Sequence, residues 1–268
     1  MDQEGSQPKA AGQDDDARTE SASPGTLYVV STPLGDPDDM TVRAIRTLNI
    51  VSVIASEDPA ATQALLTHHH INGTVTSYGP RNLDEKIAFL LNQLKKGHDV
   101  ALVSDCGTPV IYDPGCRLID AAHRAEIPIR SVPGPSALTA AVSVSGCSGD
   151  AILFEGHLPR SKHRLRTFLT GLLNERRTLV FFVPSYALRA TLIAIAKVLP
   201  TRRVTLAQDL TKSGEMILQG TPTILLRNTR RVQNHAEVTV VIEGASTIAR
   251  SKQRRQATRP PTERHPSG

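Results

Sequence analysis

The sequence predicts two α/β domains, each a sheet flanked by helices. Three observations predict them. Short apolar runs alternate with amphipathic stretches from residue 25 to residue 244, the rhythm of βα units. One run, Val100 to Val103, is apolar throughout, as in a strand buried on both faces. A break of Gly, Ser and Cys from Gly146 to Asp150 separates two such series.

Taken in order, Thr26 to Ser31 reads as a strand and runs into Thr32-Pro33-Leu34-Gly35-Asp36-Pro37, where Pro and Gly break any regular element. Asp38 and Asp39 are N-cap candidates for a helix through Leu48. Val51 to Ala55 is the next strand, and Ala60 to His70 reads as a helix ending before Asn72-Gly73. Asp84 to Lys96 is a helix because Ile87, Leu90, Leu91 and Leu94 share one face and Gly97 stops it. After the Val100 strand come a helix from Gly115 to Ala125 and a strand from Ile127 to Val132. Ser136 then caps a helix of small residues to Val144. The first domain is therefore a doubly wound, largely parallel sheet over residues 25–147. The second, residues 148–244, offers strands at Ile152–Gly156, Thr178–Val183, Arg203–Ala207 and Glu237–Glu243. Its helices are Lys162–Leu173, which is basic, and Leu188–Leu199.

Composition assigns the two ends to neither domain. The chain of 268 residues is 39% hydrophobic, a low share for a globular protein. The deficit lies in residues 1–24, rich in Asp and Glu, and 245–268, rich in Arg. Neither buries enough apolar surface to offset ordering entropy, so both read as disordered, an acidic head and a basic tail. The formal charge of +5 suggests a polyanionic partner, with phosphate contact and simple solvation of the tail equally open. No apolar run approaches the roughly 18 residues of a spanning helix. The acidic start lacks the basic and apolar regions of a signal peptide. Cys106, Cys116 and Cys147 form no C-x-x-C pair, which favours thiols in a reducing compartment. The expectation is a cytoplasmic protein without a membrane partner.

Ligands of open α/β sheets bind at the carboxyl ends of the strands. Three strands of the first domain end in loops rich in Gly and Pro: Thr32 to Asp36, Ser104 to Pro109 and Pro133 to Pro135. One such loop would be an ordinary turn; three at corresponding positions favour a binding cleft. The dinucleotide, P-loop, nucleophile-elbow and zincin motifs are all absent.

These loops, in this order, resemble the tetrapyrrole methylase superfamily and, within it, the small-subunit rRNA methyltransferase I family. The family opening "GTLYxVxTPIGNxxDxTxRA" is matched by Gly25 to Asp36 and Asp39 to Ala44, and "SDAGTPxIxDPG" by Ser104 to Gly115. "PGPSA" stands at Pro133 to Ala137, while Glu155 to Pro159 resembles "EGFLP" and Asp209 to Lys212 resembles "ELTK". The resemblance spans Gly25 to Gly244 and implies a two-domain tetrapyrrole-methylase-like fold with S-adenosyl-L-methionine in the cleft between the domains. It implies a homodimer that methylates the 2′-hydroxyl of a cytidine in the decoding centre of 16S small-subunit rRNA. By position it places Leu34, Gly35, Asp105, Cys106, Thr108, Ser136 and Ala137 near the donor, with Phe182 and Ala207 closing over it.

The chemistry asks for alignment of the ribose oxygen with the sulfonium carbon and for a group to take the hydroxyl proton. Glu57 and Asp58, matching the family's "ED", are candidates, as are Lys212 and Glu215. Arg160, Lys162, Arg164 and Arg166, with His163, form a basic cluster suited to RNA phosphates. With aromatics at 3%, phosphate and ribose contacts are expected in place of base stacking. The sequence also departs from the family. "EDTR" is Glu57-Asp58-Pro59-Ala60, "TPIGN" has Asp36 for Asn, "FYESPHR" is Phe181 to Ala187, and "ARELTK" is Ala207 to Lys212. These changes remove three Arg at matched positions, where Ala60, Ala187 and Gln208 stand, and keep two alternatives open: a catalytically impaired paralogue that binds the donor or RNA, and a small-molecule methylase of tetrapyrrole type. His68-His69-His70 carries no metal reading, because successive helical residues point apart.

Overall fold

A computed structural model describes residues 23–80, 83–228, 232 and 235–246; the acidic head before residue 23 and the basic tail from residue 247 lie outside them. The first sheet comprises β1 (Leu27–Val30), β2 (Val53–Ser56), β3 (Val75–Ser77), β4 (Val100–Val103) and β5 (Ile129–Val132), in the order β3-β2-β4-β1-β5. All its pairings are parallel, as the βα rhythm predicts. Its helices are α1 (Val42–Ile50), α2 (Pro59–His68), α3 (Leu83–Lys95) and α4 (Cys116–Arg124).

The unbroken apolar run of β4 is explained by its two faces. Val100 and Leu102 pack with Ile87, Leu90 and Leu94 of α3 and Leu118 and Ala122 of α4. Ala101 and Val103 pack on the opposite face with Ala44 and Leu48 of α1 and Leu66 of α2. All four β4 side chains are buried, each Val or Leu contributing about 1.5–3 kcal/mol relative to exposure.

The second sheet differs from the first. It comprises β6 (Ile152–His157), β7 (Thr178–Pro184), β8 (Val204–Gln208), β9 (Met216–Gly220) and β10 (Glu237–Ile242), in the order β6-β7-β10-β8-β9. Only β6 and β7 pair in parallel; β10 is antiparallel to both β7 and β8, and β9 to β8. One face carries α6 (Lys162–Gly171), α7 (Ser185–Val198) and α8 (Pro222–Asn228). The other carries α5 (Ala137–Ser145), whose Ala141 and Val142 pack against Val180, Ala207 and Val241. The small residues of α5 let it lie close to that sheet, and Gly146 in the left-handed region ends it.

Two caps differ from expectation. Asp38 and Asp39 lie in a 3-10 turn, Pro37–Asp39, which Asp36 caps through its side chain. Helix α1 is capped instead by Thr41, whose hydroxyl accepts from the Ala44 N–H at 3.1 Å. Ser136 occupies the N-cap position of α5, yet its hydroxyl makes no capping bond. Strands β3 and β9 and helix α8 add to the elements read from the sequence.

Candidate active site

Strands β1, β4 and β5 are neighbours, so the loops that follow them meet at one edge of the first sheet. They are bonded into a single floor. Thr32 and Gly107 exchange backbone hydrogen bonds of 2.9 and 3.1 Å, and the Thr32 hydroxyl donates to the Ser104 carbonyl at 2.9 Å. Thr108 donates to the Pro135 carbonyl at 3.0 Å and meets Ser31 at 3.0 Å. Gly107 sits at φ +90°, a conformation that favours glycine.

The second sheet supplies the facing wall. Because β10 runs against β7 and β8, its first residues lie beside their last: Glu237 opposes Pro184 and Val238 opposes Gln208. The two walls touch at Gly35. A Cβ there would lie 2.2 Å from Cγ of Lys212, so no side chain fits. Next to it the Asp36 N–H donates to the Thr211 hydroxyl at 3.0 Å.

Between floor and wall lies a cleft of about 1020 Å³, at the upper end of the range for small-molecule sites. Of the residues placed near a donor from the sequence, Leu34, Asp105, Cys106, Thr108, Ser136, Ala137, Phe182 and Ala207 all line it. Gly35 lines a smaller adjoining pocket of about 170 Å³.

None of the four residues read as candidates for taking the proton, Glu57, Asp58, Lys212 and Glu215, lines the cleft. Asp58 caps α2: its Oδ1 accepts from the Ala60 and Ala61 N–H groups at 3.0 and 3.1 Å. Its own N–H donates to Asp105 at 2.9 Å. Lys212 is paired with Glu237, Nζ to Oε2 3.0 Å. Glu57 is exposed next to the cap. Glu215 accepts from the Thr211 N–H and so closes its own loop. Arg160, Lys162, Arg164 and Arg166 are all exposed, at and before the start of α6.

The cleft also holds residues that sequence reasoning passed over. Asp113 lines it, and burial pushes its carboxyl up to about 6, with Glu57 and Asp105 adding to the rise and a hydrogen bond to Ser104 opposing it. Its position inside "DPG" was the available signal. Tyr112, one residue before, has φ +60°, and Val110 has φ +74°. Such backbone conformations are costly for residues with a Cβ, most of all β-branched Val. The Tyr112 ring stacks edge-on against His157, centroids 4.4 Å apart, and faces Phe182 at 6.3 Å. Burial lowers the His157 pKa, and Arg160 lowers it further. Burial raises that of the Cys106 thiol, with the Glu237 carboxylate next in effect, so Cys106 is a neutral thiol at neutral pH.

Among the described residues, no group of three or more His, Cys, Asp or Glu is placed to hold a metal ion. Of the three consecutive histidines, His68 approaches Asp38 at 3.5 Å, and His69 meets the Pro37 carbonyl at 3.0 Å. No helix among the described residues is long and apolar enough to cross a membrane.

Comparison with known proteins adds to this geometry. Residues 26–225 match the family described as Tetrapyrrole (Corrin/Porphyrin) Methylases. The chain is 40% identical over 220 residues to the ribosomal RNA small subunit methyltransferase I of Thermotoga maritima, covering 82% of this chain and 99% of that one. It is 39% identical over 243 residues to the protein of the same name from Micromonospora olivasterospora, covering 90% and 78%. Among solved structures, a cobalt precorrin-4 methyltransferase of cobalamin biosynthesis shares the fold at TM-score 0.62 and 20% identity, covering 81% of this chain and 94% of that chain. A uroporphyrin-III C-methyltransferase from Thermus thermophilus, complexed with S-adenosyl homocysteine, shares it at TM-score 0.56 and 19% identity, covering 85% and 100%. This chain belongs to the tetrapyrrole methylase family and, within it, to the ribosomal RNA small subunit methyltransferase I group.

Proposed function

We propose that this protein transfers a methyl group from S-adenosyl-L-methionine to the 2′-hydroxyl of a cytidine ribose in the decoding centre of 16S small-subunit rRNA, acting as a homodimer. The observation that carries the reading is the cleft itself, lined by eight of the nine residues expected near the donor. We place the division between the two domains near residue 147, with α5 lying across onto the second sheet.

The lining suits a ligand that is half amino acid and half nucleoside. Ser104, Asp105, Thr108 and Ser136 offer hydroxyl and carboxylate groups, while Leu34, Phe182, Ala207 and Leu210 offer apolar surface. Bound there, the donor would supply a methyl group already activated by its sulfonium charge. The protein then has to hold the acceptor oxygen in line and to receive its proton. We assign the proton to Asp113, the cleft carboxylate poised near 6, with Glu57 tuning it through space. Asp58 and Lys212 take positioning roles, the first holding Asp105 and the second holding Glu237 and the floor. Arg160, Lys162, Arg164 and Arg166 take RNA phosphates.

Tritium transfer from labelled donor to isolated small ribosomal subunits, followed by digestion to nucleosides, tests the reading. Label in 2′-O-methylcytidine is the expected result. Saturable donor binding by calorimetry with no label in RNA would favour the impaired paralogue, for which the three lost Arg speak. Label in a tetrapyrrole would favour the small-molecule methylase.

A further inference from the structure

The chain has four Tyr, five Phe and no Trp. Among the described residues only three of these rings are exposed: Phe89 at 41%, Tyr112 at 56% and Tyr186 at 77%. Two of the three, Tyr112 and Tyr186, line the cleft. A protein so poor in aromatics has placed its two most exposed rings at one opening.

They come from opposite walls. Tyr112 belongs to the first domain, yet its ring lies against the second: a Cβ on Gly156 would fall 2.3 Å from the Tyr112 ring. Gly156 itself has φ +60°. The ring is thus seated on a glycine and flanked by His157 and Phe182, while the residue as a whole stays exposed. Tyr186 stands in the first turn of α7, two residues beyond the end of β7. Basic charge begins close by. Arg160 is near enough to His157 to depress its protonation, and Lys162, Arg164 and Arg166 follow.

We propose that Tyr112 and Tyr186 form a stacking rim that receives the base of a single unstacked RNA nucleotide, with Arg160 and the start of α6 taking the adjoining phosphates. The proposal rests on the RNA methylation reading and deepens it by naming the acceptor's subsite. An acceptor nucleotide drawn into a cleft from a single-stranded loop brings an unstacked base that needs a surface to rest on. Aromatic rings are the sequence-tolerant way to hold the freed base. Exposed tyrosine beside exposed Arg and Lys matches the chemistry of a base joined to phosphates, and does not match an apolar protein partner. Stacking in place of ribose contact alone also reverses the expectation drawn from the low aromatic content: number is less informative than position.

The test uses the full chain with Tyr112→Ala, Tyr186→Ala, Tyr112→Phe and Tyr186→Phe. With isolated small ribosomal subunits as acceptor, each Ala variant should raise KM for the subunits about 5- to 100-fold, as expected for one lost stacking contact. Both Phe variants should stay within about 2-fold, since the ring and not the hydroxyl is used. Donor affinity by calorimetry should be unchanged in all four. Wild-type KM in both Ala variants, Phe variants as impaired as Ala, or a matching loss of donor affinity would each overturn the proposal, the last by assigning the rings to the donor. Should the wild-type chain transfer no label, the methylation reading fails by itself. Quenching of 2-aminopurine in a single-stranded RNA 12-mer then still decides the rim: quenching by wild type but not by the double Ala variant supports it, and equal quenching by both overturns it.

Discussion

Asp113 links burial, charge and chemistry in one side chain. Its carboxyl titrates near 6 in the folded protein, above its ordinary 3.8. Between those values the folded chain holds a proton that the unfolded chain has released, so stability falls as pH rises through this window. Asp113→Asn should remove that slope: thermal melts of wild type and variant should converge at pH 4 and separate in the variant's favour by pH 7. The same substitution should lower kcat for methyl transfer by about 10²- to 10⁴-fold while leaving donor affinity within a few-fold, the behaviour of a general base. Calorimetry and single-turnover transfer separate the two effects. Gly35 makes the opposite case, a residue whose value is its missing side chain. Gly35→Ala drives a methyl into Lys212 close to the backbone, and it should lower both the melting temperature and donor affinity. Neither residue's role could be read from spacing. Asp113 was visible inside its motif, but its environment depends on Glu57 arriving from the end of β2 and on the fold of the loop that holds Asp105. Asp58 had the right residue type at the right place and is a helix cap.

At the level of elements, the cap of α1 gives a sharp comparison. Thr41→Ala should cost about 1 kcal/mol in urea denaturation, whereas Asp39→Ala should fall within about 0.5 kcal/mol of wild type, the usual range for surface changes. In the core, Leu102→Ala should cost about 2–5 kcal/mol, because Leu102 is fully buried against α3 and α4. Elements with strong patterns were legible. Val100–Val103 read as a strand because both its faces are covered, and Ile87, Leu90 and Leu94 marked the buried face of α3. Strand β3 escaped because it is three residues, none of them buried, at a sheet edge. Strand β9 escaped because its residues are only partly buried, and α8 because it opens on Thr221-Pro222, which reads as a breaker. The antiparallel placement of β10 escaped for another reason: period-2 alternation does not say which way a strand runs. That direction brings Glu237 and His235 to the cleft, and so the half of the site built by the second sheet was the less legible half.

Over the whole molecule, basic charge gathers at the C-terminal end. The six basic residues between Arg250 and Arg264 oppose a single Glu. Deleting residues 247–268 should weaken binding to small-subunit rRNA at low salt and flatten the dependence of affinity on salt, because fewer counterions are released. Donor affinity should not change. A filter-binding series across salt concentrations reads both quantities, and an unchanged slope would assign RNA binding to the folded core alone. The cut leaves in place the Ala245 N–H that donates to the Glu175 carbonyl.

The seam at Gly35 and Lys212 has a consequence for synthesis. The Asp36–Thr211 bond alongside it joins positions 175 residues apart, so its two halves leave the ribosome far apart in time. All strands of the first sheet have emerged once Val132 is clear, while the partner that covers its loops is still unmade. A nascent chain paused before β8 would therefore carry an unroofed floor beside Ala141 and Val142 of α5, not yet covered by Ala207 and Val241, and exposed apolar surface of this kind is where chaperones act. Pulse-labelled chains halted at residue 150 should be protease-sensitive at Leu34 and at Tyr112, and should gain resistance at both positions together once residue 242 has cleared the exit tunnel.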